Sequence, residues 1–200
     1  AGFAPHFAKH DPIVMDVENQ FSPPNQEYLL GADQYGRDIL SRIIFGARLS
    51  TIVALTSVGI ATVFGTTIGL LAGYFRGVLD NIIMRIMDIM LTFPVILLAI
   101  GLIAFTGPKT INVIIAIGVV YTPQFARVVR SSVLTIREET YIESAVIAGG
   151  NDVSIIFTQV LPNCLPVVIV QITLSLAAAI ILEAALSFLG LGTPPPAPSW

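Results

Sequence analysis

Few side chains in this sequence have the type and spacing to do chemistry. His6 and His10 stand four apart, which fits two metal ligands on one helix face. Pro12 follows closely and no third ligand accompanies them, so no metal site is expected. Gly107-Pro108-Lys109-Thr110 shares the Lys-Thr ending of a phosphate loop but lacks its spaced glycines, so the chain is not expected to hydrolyse nucleotide. Cys164 is the single cysteine, which excludes an internal disulfide and suits a small packed residue at a helix start. No nucleophile, base and acid form a set, so no catalytic residue is assigned and the chain is read as a non-enzyme.

What remains is two carboxylates in apolar surroundings, where an ionised group is costly and faces protein or a wet cavity. Asp88 opens "DIMLTFPVILLAI", and Pro94 interrupts that run. Two readings stand for it. It pairs with Arg85, three residues back on a helix, and fixes helix depth. Alternatively it is a polar element at an inner gate, next to the carbonyls that Pro94 frees. Glu183 lies in "AAAIILEAALSFLG", with no charge anywhere in residues 153–182. It either lines a pathway or packs helices, or else it sits near the outer interface. Tyr121, Pro123 and Gln124 make a third polar break, read as a kink, with a pore-facing kink as the alternative.

The elements that must position these groups are long and greasy. The chain has 200 residues, 54% hydrophobic and 12% charged, with mean hydropathy +0.84. A soluble domain carries about 25% charged residues. Residues 49–75, 89–108, 110–126 and 153–182 hold no charge at all, and about 20 apolar residues cross a bilayer core. The expected fold is an all-α polytopic membrane protein with four spans, at about 52–74, 86–106, 111–129 and 164–189. A soluble bundle would need polar faces that these segments lack. A net charge of −3 without a basic run excludes nucleic acid as a partner. Along the first span Ala61, Gly65, Gly69 and Gly73 place a small residue at every fourth position, a strip that lets another helix come close.

Residues 1–48 read as a separate extracytoplasmic and interfacial segment, and 49–200 as the transmembrane core. The first part is rich in proline and holds Asp11, Asp16, Glu18, Glu27, Asp33 and Asp38 against Lys9 and Arg37. From Arg37 to Leu49 a helix is expected to lie at the interface before the first span. Positive charge marks the cytoplasmic side. Arg76, Arg85, Arg127, Arg130 and Arg137 put 74–85 and 127–163 inside, leaving 1–38, 107–110 and 190–200 outside. Arg42 and Arg48 fall on the outer side, against the rule. The chain starts at Ala1 without a signal-peptide pattern and ends just past a membrane helix. Both ends look cut, and a longer chain is expected.

One polar-edged module interrupts the apolar core, "YIESAVIAGGNDVSIIFTQVLPN" from Tyr141 to Asn163. Thr140 and Glu143 fit a capping box for a helix over 141–148. Gly149 is placed to end it at positive φ, and Asn151 or Asp152 to cap a second helix. In that helix Val153, Ile156, Phe157 and Val160 share a face, and Pro162 is expected to redirect the chain into the last span. The module is too apolar to be left fully solvated, so a partner surface is its natural use.

Glu143-Ser144-Ala145, Gly149 six residues after Glu143, and Leu161-Pro162 resemble the cytoplasmic Glu-Ala-Ala loop of ABC importer permeases. "LLGADQYGRDILSRIIFGARLS" resembles the segment opening the permease core in the dipeptide, oligopeptide and nickel branch, and "LSFLGLGTPPPAPSW" a later stretch of that branch. Ser144 stands where alanine is usual, and Gln159 where the general motif has isoleucine. The resemblance implies a MetI-like helical core, with further helices before Ala1 and after Trp200. It implies a coupling loop over about 131–163, with Glu143, Ser144, Ala145, Gly149, Asp152, Leu161 and Pro162 seated against a cytoplasmic ATPase. It also implies two ABC ATPase subunits that use ATP, so that this chain itself binds no cofactor. A second homologous permease forming a heterodimer, an extracytoplasmic substrate-binding protein and membrane lipid complete the partners. The setting is a bacterial or archaeal cytoplasmic (inner) membrane, crossed several times. The solute is a di- or oligopeptide, with nickel or another small solute as the alternative. A secondary transporter is the rival class; it would show paired broken helices in two repeated halves.

Overall fold

The computed structural model describes Ala8, residues 10–192 and Pro198. His6 lies outside the described residues, so the spacing of the two histidines has no structural counterpart. Helix α1 spans Ile39–Phe75. Asp38 caps it, its carboxylate accepting from Leu40 N at 3.3 Å and Ser41 N at 3.1 Å. The interfacial helix expected before the first span is not separate. Nothing between Ile39 and Phe75 breaks the helix, since no proline occurs there, and the position 48 boundary falls inside it. At 1.5 Å per residue α1 is about 55 Å long, well beyond the roughly 30 Å core of a bilayer.

Arg76, at φ +53°, separates α1 from α2, Gly77–Thr92. Helix α3 follows over Val95–Thr106. In place of the expected second span over about 86–106, which Pro94 interrupts, stand two helices bent by 95°. Pro94 clashes with a helical residue before it, and Phe93 accordingly sits in extended backbone at ψ 138°. Helix α4, Thr110–Ile136, keeps Pro123 inside without breaking. Helix α5 is short, Thr140–Ile147. Helix α6 then runs from Asp152 to Phe188.

Pro162 does not redirect the chain. One wide turn over Ile156–Val160 precedes Leu161-Pro162, and the helix continues straight through. A helical proline offers no N–H and crowds the carbonyl four residues back. The widened turn moves that carbonyl aside, and Asn163 Nδ2 donates to Gln159 O at 2.6 Å, serving a neighbouring carbonyl.

Among the described residues, three helices (α1, α4 and α6) are long and apolar enough to cross a membrane, and α2 with α3 makes a fourth if counted as one broken span. The most extensive packing is α1 against α4. Phe125, Ile117, Val129 and Val133 of α4, Val53, Val58 and Ala61 of α1, and Val160, Cys164, Ala179 and Leu186 of α6 belong to one buried apolar cluster. The small-residue strip faces α4. A Cβ on Gly65 would stand 2.3 Å from Phe125 Cβ, and one on Gly69 2.6 Å from Ala126 O. On Gly73 it would stand 2.8 Å from Val133 Cβ.

Before α1, segment 16–22 is laced to 31–38 by backbone hydrogen bonds, such as Phe21 N to Asp33 O at 3.2 Å. Asp33 is the hub of this loop. It accepts from Tyr35 N at 2.8 Å, Arg37 N at 3.0 Å and Arg37 Nε at 2.8 Å. Arg42 reaches it at 3.8 Å and donates to Pro12 O at 3.0 Å. Arg42 therefore has a local counter-charge, which accounts for its place on the side the positive-charge rule leaves outside.

Candidate functional site

The α5 corner is built from Arg137 to Asn163. The capping box expected from Thr140 and Glu143 does not form. Helix α5 starts at Thr140 itself, with Glu139 at the cap position and no side-chain cap bond. Glu143 is thus one residue too far along to reach back. It is exposed, and lines a cleft with Tyr74, Arg137, Glu138, Ile142, Val146 and Asp152. The turn at the other end follows the expected pattern. Gly149 takes φ +80°, and Gly149 N and Gly150 N donate to Val146 O and Ala145 O, each at 3.0 Å. Nothing crowds a Cβ at Gly149, so backbone conformation alone demands the glycine. Asn151 Oδ1 then accepts from Val153 N at 3.0 Å and caps α6.

Ile142 and Ile155, each 2% exposed, anchor the corner. Asn163 Nδ2 donates to Tyr141 Oη at 3.2 Å, stitching α5 to α6. Ser144 is exposed, its hydroxyl donating to Thr140 O at 2.8 Å; Pro162 is exposed, and Ala145 and Leu161 are half-buried. The outward face carries Tyr141, Val146, Ile147, Val153 and Phe157, of which Ile147 is 79% exposed and Phe157 61%. The corner is thus short and fixed, and its outward face is apolar and uncovered among the described residues.

The corner is tied to the rest of the bundle at its base. Tyr74 Oη donates to Asp152 Oδ1 at 2.8 Å. Arg137 Nη1 donates to the Tyr74 carbonyl. Arg76 Nη2 donates to Leu134 O and to Glu138 Oε1, both at 3.3 Å. The sequence does not mark Tyr74, and it marks Arg76 only as a charge on the cytoplasmic side, because contacts across some 60 to 80 residues leave no local pattern.

The membrane carboxylates find partners the sequence could not name. Asp88 pairs with Arg127 of α4 and not with Arg85. Asp80, which the sequence reading passed over, is 7% exposed. It accepts from Arg130 Nε at 2.5 Å and Nη2 at 2.6 Å. The two pairs fasten α2 to α4, and Pro94 sets the bend just beyond them. Glu183 is 1% exposed, buried by this chain's own packing, and accepts from Ser187 Oγ at 2.9 Å.

A family model described as "Binding-protein-dependent transport system inner membrane component" matches residues 65–200. The chain is 44% identical over 200 residues to a putative peptide transport system permease protein of Brucella suis, covering 100% of this chain and 67% of that protein. It is 46% identical over 198 residues to the dipeptide transport system permease protein DppC of Alkalihalophilus pseudofirmus, covering 99% and 65%. A glutathione transport system permease protein of Pectobacterium atrosepticum is 44% identical over 191 residues, with 92% and 64% covered. The chain spans about two thirds of the length of these relatives. Among solved structures, an inward-facing form of the MetNI methionine ABC transporter matches with TM-score 0.70 at 22% identity, covering 78% of this chain and 77% of that one. At that identity the likeness speaks for the fold alone.

Proposed function

The chain belongs to the family of binding-protein-dependent transport system inner membrane components, and from that premise we propose that it is a permease subunit of an ATP-driven importer for di- or oligopeptides. Its fold is the MetI-like helical core, and its setting is the inner membrane. The named relatives are permeases of peptide, dipeptide and glutathione systems, which favours a peptide over nickel or another small solute. A secondary transporter would need its own coupling-ion site and would have no use for the corner.

The corner carries the mechanistic part of the reading. Its uncovered apolar face is the seat for a cytoplasmic ATPase, one on this chain and one on a second, homologous permease. ATP is consumed on those subunits, and this chain contributes no catalytic group. Closure of the ATPases displaces the corner, and the helices rooted in it alternate access to the pathway between them. An extracytoplasmic binding protein delivers the solute. Of the pathway candidates, Asp88 is half-exposed on its side chain and open to a solute route, whereas buried Glu183 serves helix packing.

Gly149→Val tests the docking assignment. A β-branched residue at φ +80° is costly, but Gly149 itself is exposed and its Cβ would meet nothing within 4 Å, so the protein should still insert and accumulate. ATPase retained on purification should fall, and Gly149→Ala should fall less. Full ATPase binding and transport by Gly149→Val would remove the coupling assignment.

A further inference from the structure

Tyr74, Arg137 and Asp152 come from three different helices and meet at one point. Tyr74 lies in the last turn of α1, Arg137 closes α4, and Asp152 opens α6. Tyr74 is only 4% exposed, and its hydroxyl donates to Asp152 Oδ1 at 2.8 Å. The Arg137 guanidinium lies over its ring, 5.2 Å from the centroid, while Nη1 serves its carbonyl. The excursion that carries α5 leaves the bundle at Arg137 and returns at Asp152. One tyrosine therefore grips both roots of that excursion.

Apart from the exposed Arg76–Glu138 pair, the other contacts beneath the corner are of a different kind. Ile142 and Ile155 are buried apolar anchors, which resist separation but have no direction and tolerate sliding. A hydrogen bond to a carboxylate is directional and stronger than a neutral one. Beyond Tyr74, α1 is locked to α4 where Gly65, Gly69 and Gly73 leave no room for even a methyl group. A push on Tyr74 is thus a push on the α1–α4 pair.

We propose that Tyr74 is a positioning residue for transport: it passes displacement of the α5–α6 corner to α1, through its hydrogen bond to Asp152 and its contact with Arg137. The inference rests on the corner being the ATPase seat.

The test uses the complete transporter in proteoliposomes, importing alanyl-alanine. Tyr74→Phe keeps the ring under Arg137 and removes only the hydroxyl. ATP hydrolysed per dipeptide imported should rise about tenfold, the weight of one hydrogen bond to a charged group. A variant that merely lowered the amount of folded complex would lower both rates together and leave their ratio alone. Asp152→Asn keeps an acceptor oxygen without the charge, so its ratio should lie between those of the wild type and Asp152→Ala. Asp152→Ala should match Tyr74→Phe, with no further rise in the double variant. Should Tyr74→Phe fail to accumulate, the contrast between Asn and Ala at Asp152 decides. An unchanged ratio with ATPase retained overturns the inference and leaves the docking assignment standing, as do additive effects in the double variant. A wild-type complex that retains no ATPase overturns both.

Discussion

Asp80 and Asp88 sit about two turns apart on α2 and answer the same helix, yet their surroundings give them different weights. The Asp80 side chain is 10% exposed and Arg130 30%, and the pair is bidentate. Asp88 and Arg127 are 51% and 57% exposed. Breaking a buried pair leaves an uncompensated charge, whereas an exposed pair adds little. Asp80→Asn should therefore cost roughly 1–3 kcal/mol, reduced from the fully buried case because Arg130 is partly wet. Asp88→Asn should stay within about 1 kcal/mol. Thermal unfolding in detergent reads the difference, and a larger loss at Asp88 would mean that its pair holds a conformation rather than a contact. Neither pairing was legible in the sequence. The helical rule pointed Asp88 at Arg85 because that rule sees only neighbours. The true partner stands 39 residues away across a helix interface, where only opposite charge at two edges of apolar runs hinted at it.

Elements were legible where one local force governs them. Long charge-free runs gave α1, α4 and α6, and the demand for positive φ gave the turn at Gly149. They were misread where two forces compete. The sequence reads Pro94 as an interruption within one span and Pro162 as a redirection of the chain, but context reverses their severity. At Pro94 nothing relieves the clash with Phe93, and the helix breaks by 95°. At Pro162 a wide turn and the Asn163 amide relieve it, and α6 runs on. The same competition removed the capping box, since a helix starting at Thr140 shifts Glu143 out of reach. The glycine strip was readable as a contact surface, though not which helix covers it. Gly69→Leu must now displace Ala126 O and Val129 Cβ, 2.6 and 2.8 Å from its first carbon. Overpacking costs typically 1–3 kcal/mol even in adaptable cores, and here the nearest obstacle is backbone. Val63→Leu, on a residue 64% exposed, adds volume to an open face. Gly69→Leu should abolish accumulation of folded protein and Val63→Leu should not, as monodispersity in detergent will report.

For the whole molecule, the decisive quantity is which end of the bundle faces the cytoplasm. Hydrogen bonds draw Arg76 and Arg137 to the end that carries α5, and Arg127 and Arg130 reach toward α2, which starts there. At the opposite end Arg42 is held by Asp33 and Pro12. Lys and Arg flanking spans set orientation in a bilayer, which supports the proposed placement of the α5 corner in the cytoplasm, where an ATPase has its ATP. Two single-cysteine variants test this, each with buried Cys164 replaced. Ser154→Cys lies on the exposed first turn of α6, and Gln26→Cys on the exposed loop before α1. In intact cells a membrane-permeant maleimide should label both. An impermeant one should label Gln26→Cys alone, and should reach Ser154→Cys only after the membrane is opened. The reverse pattern would place the corner outside the cell. An apolar surface there could not seat a cytoplasmic ATPase, and Tyr74 would have no displacement to pass on.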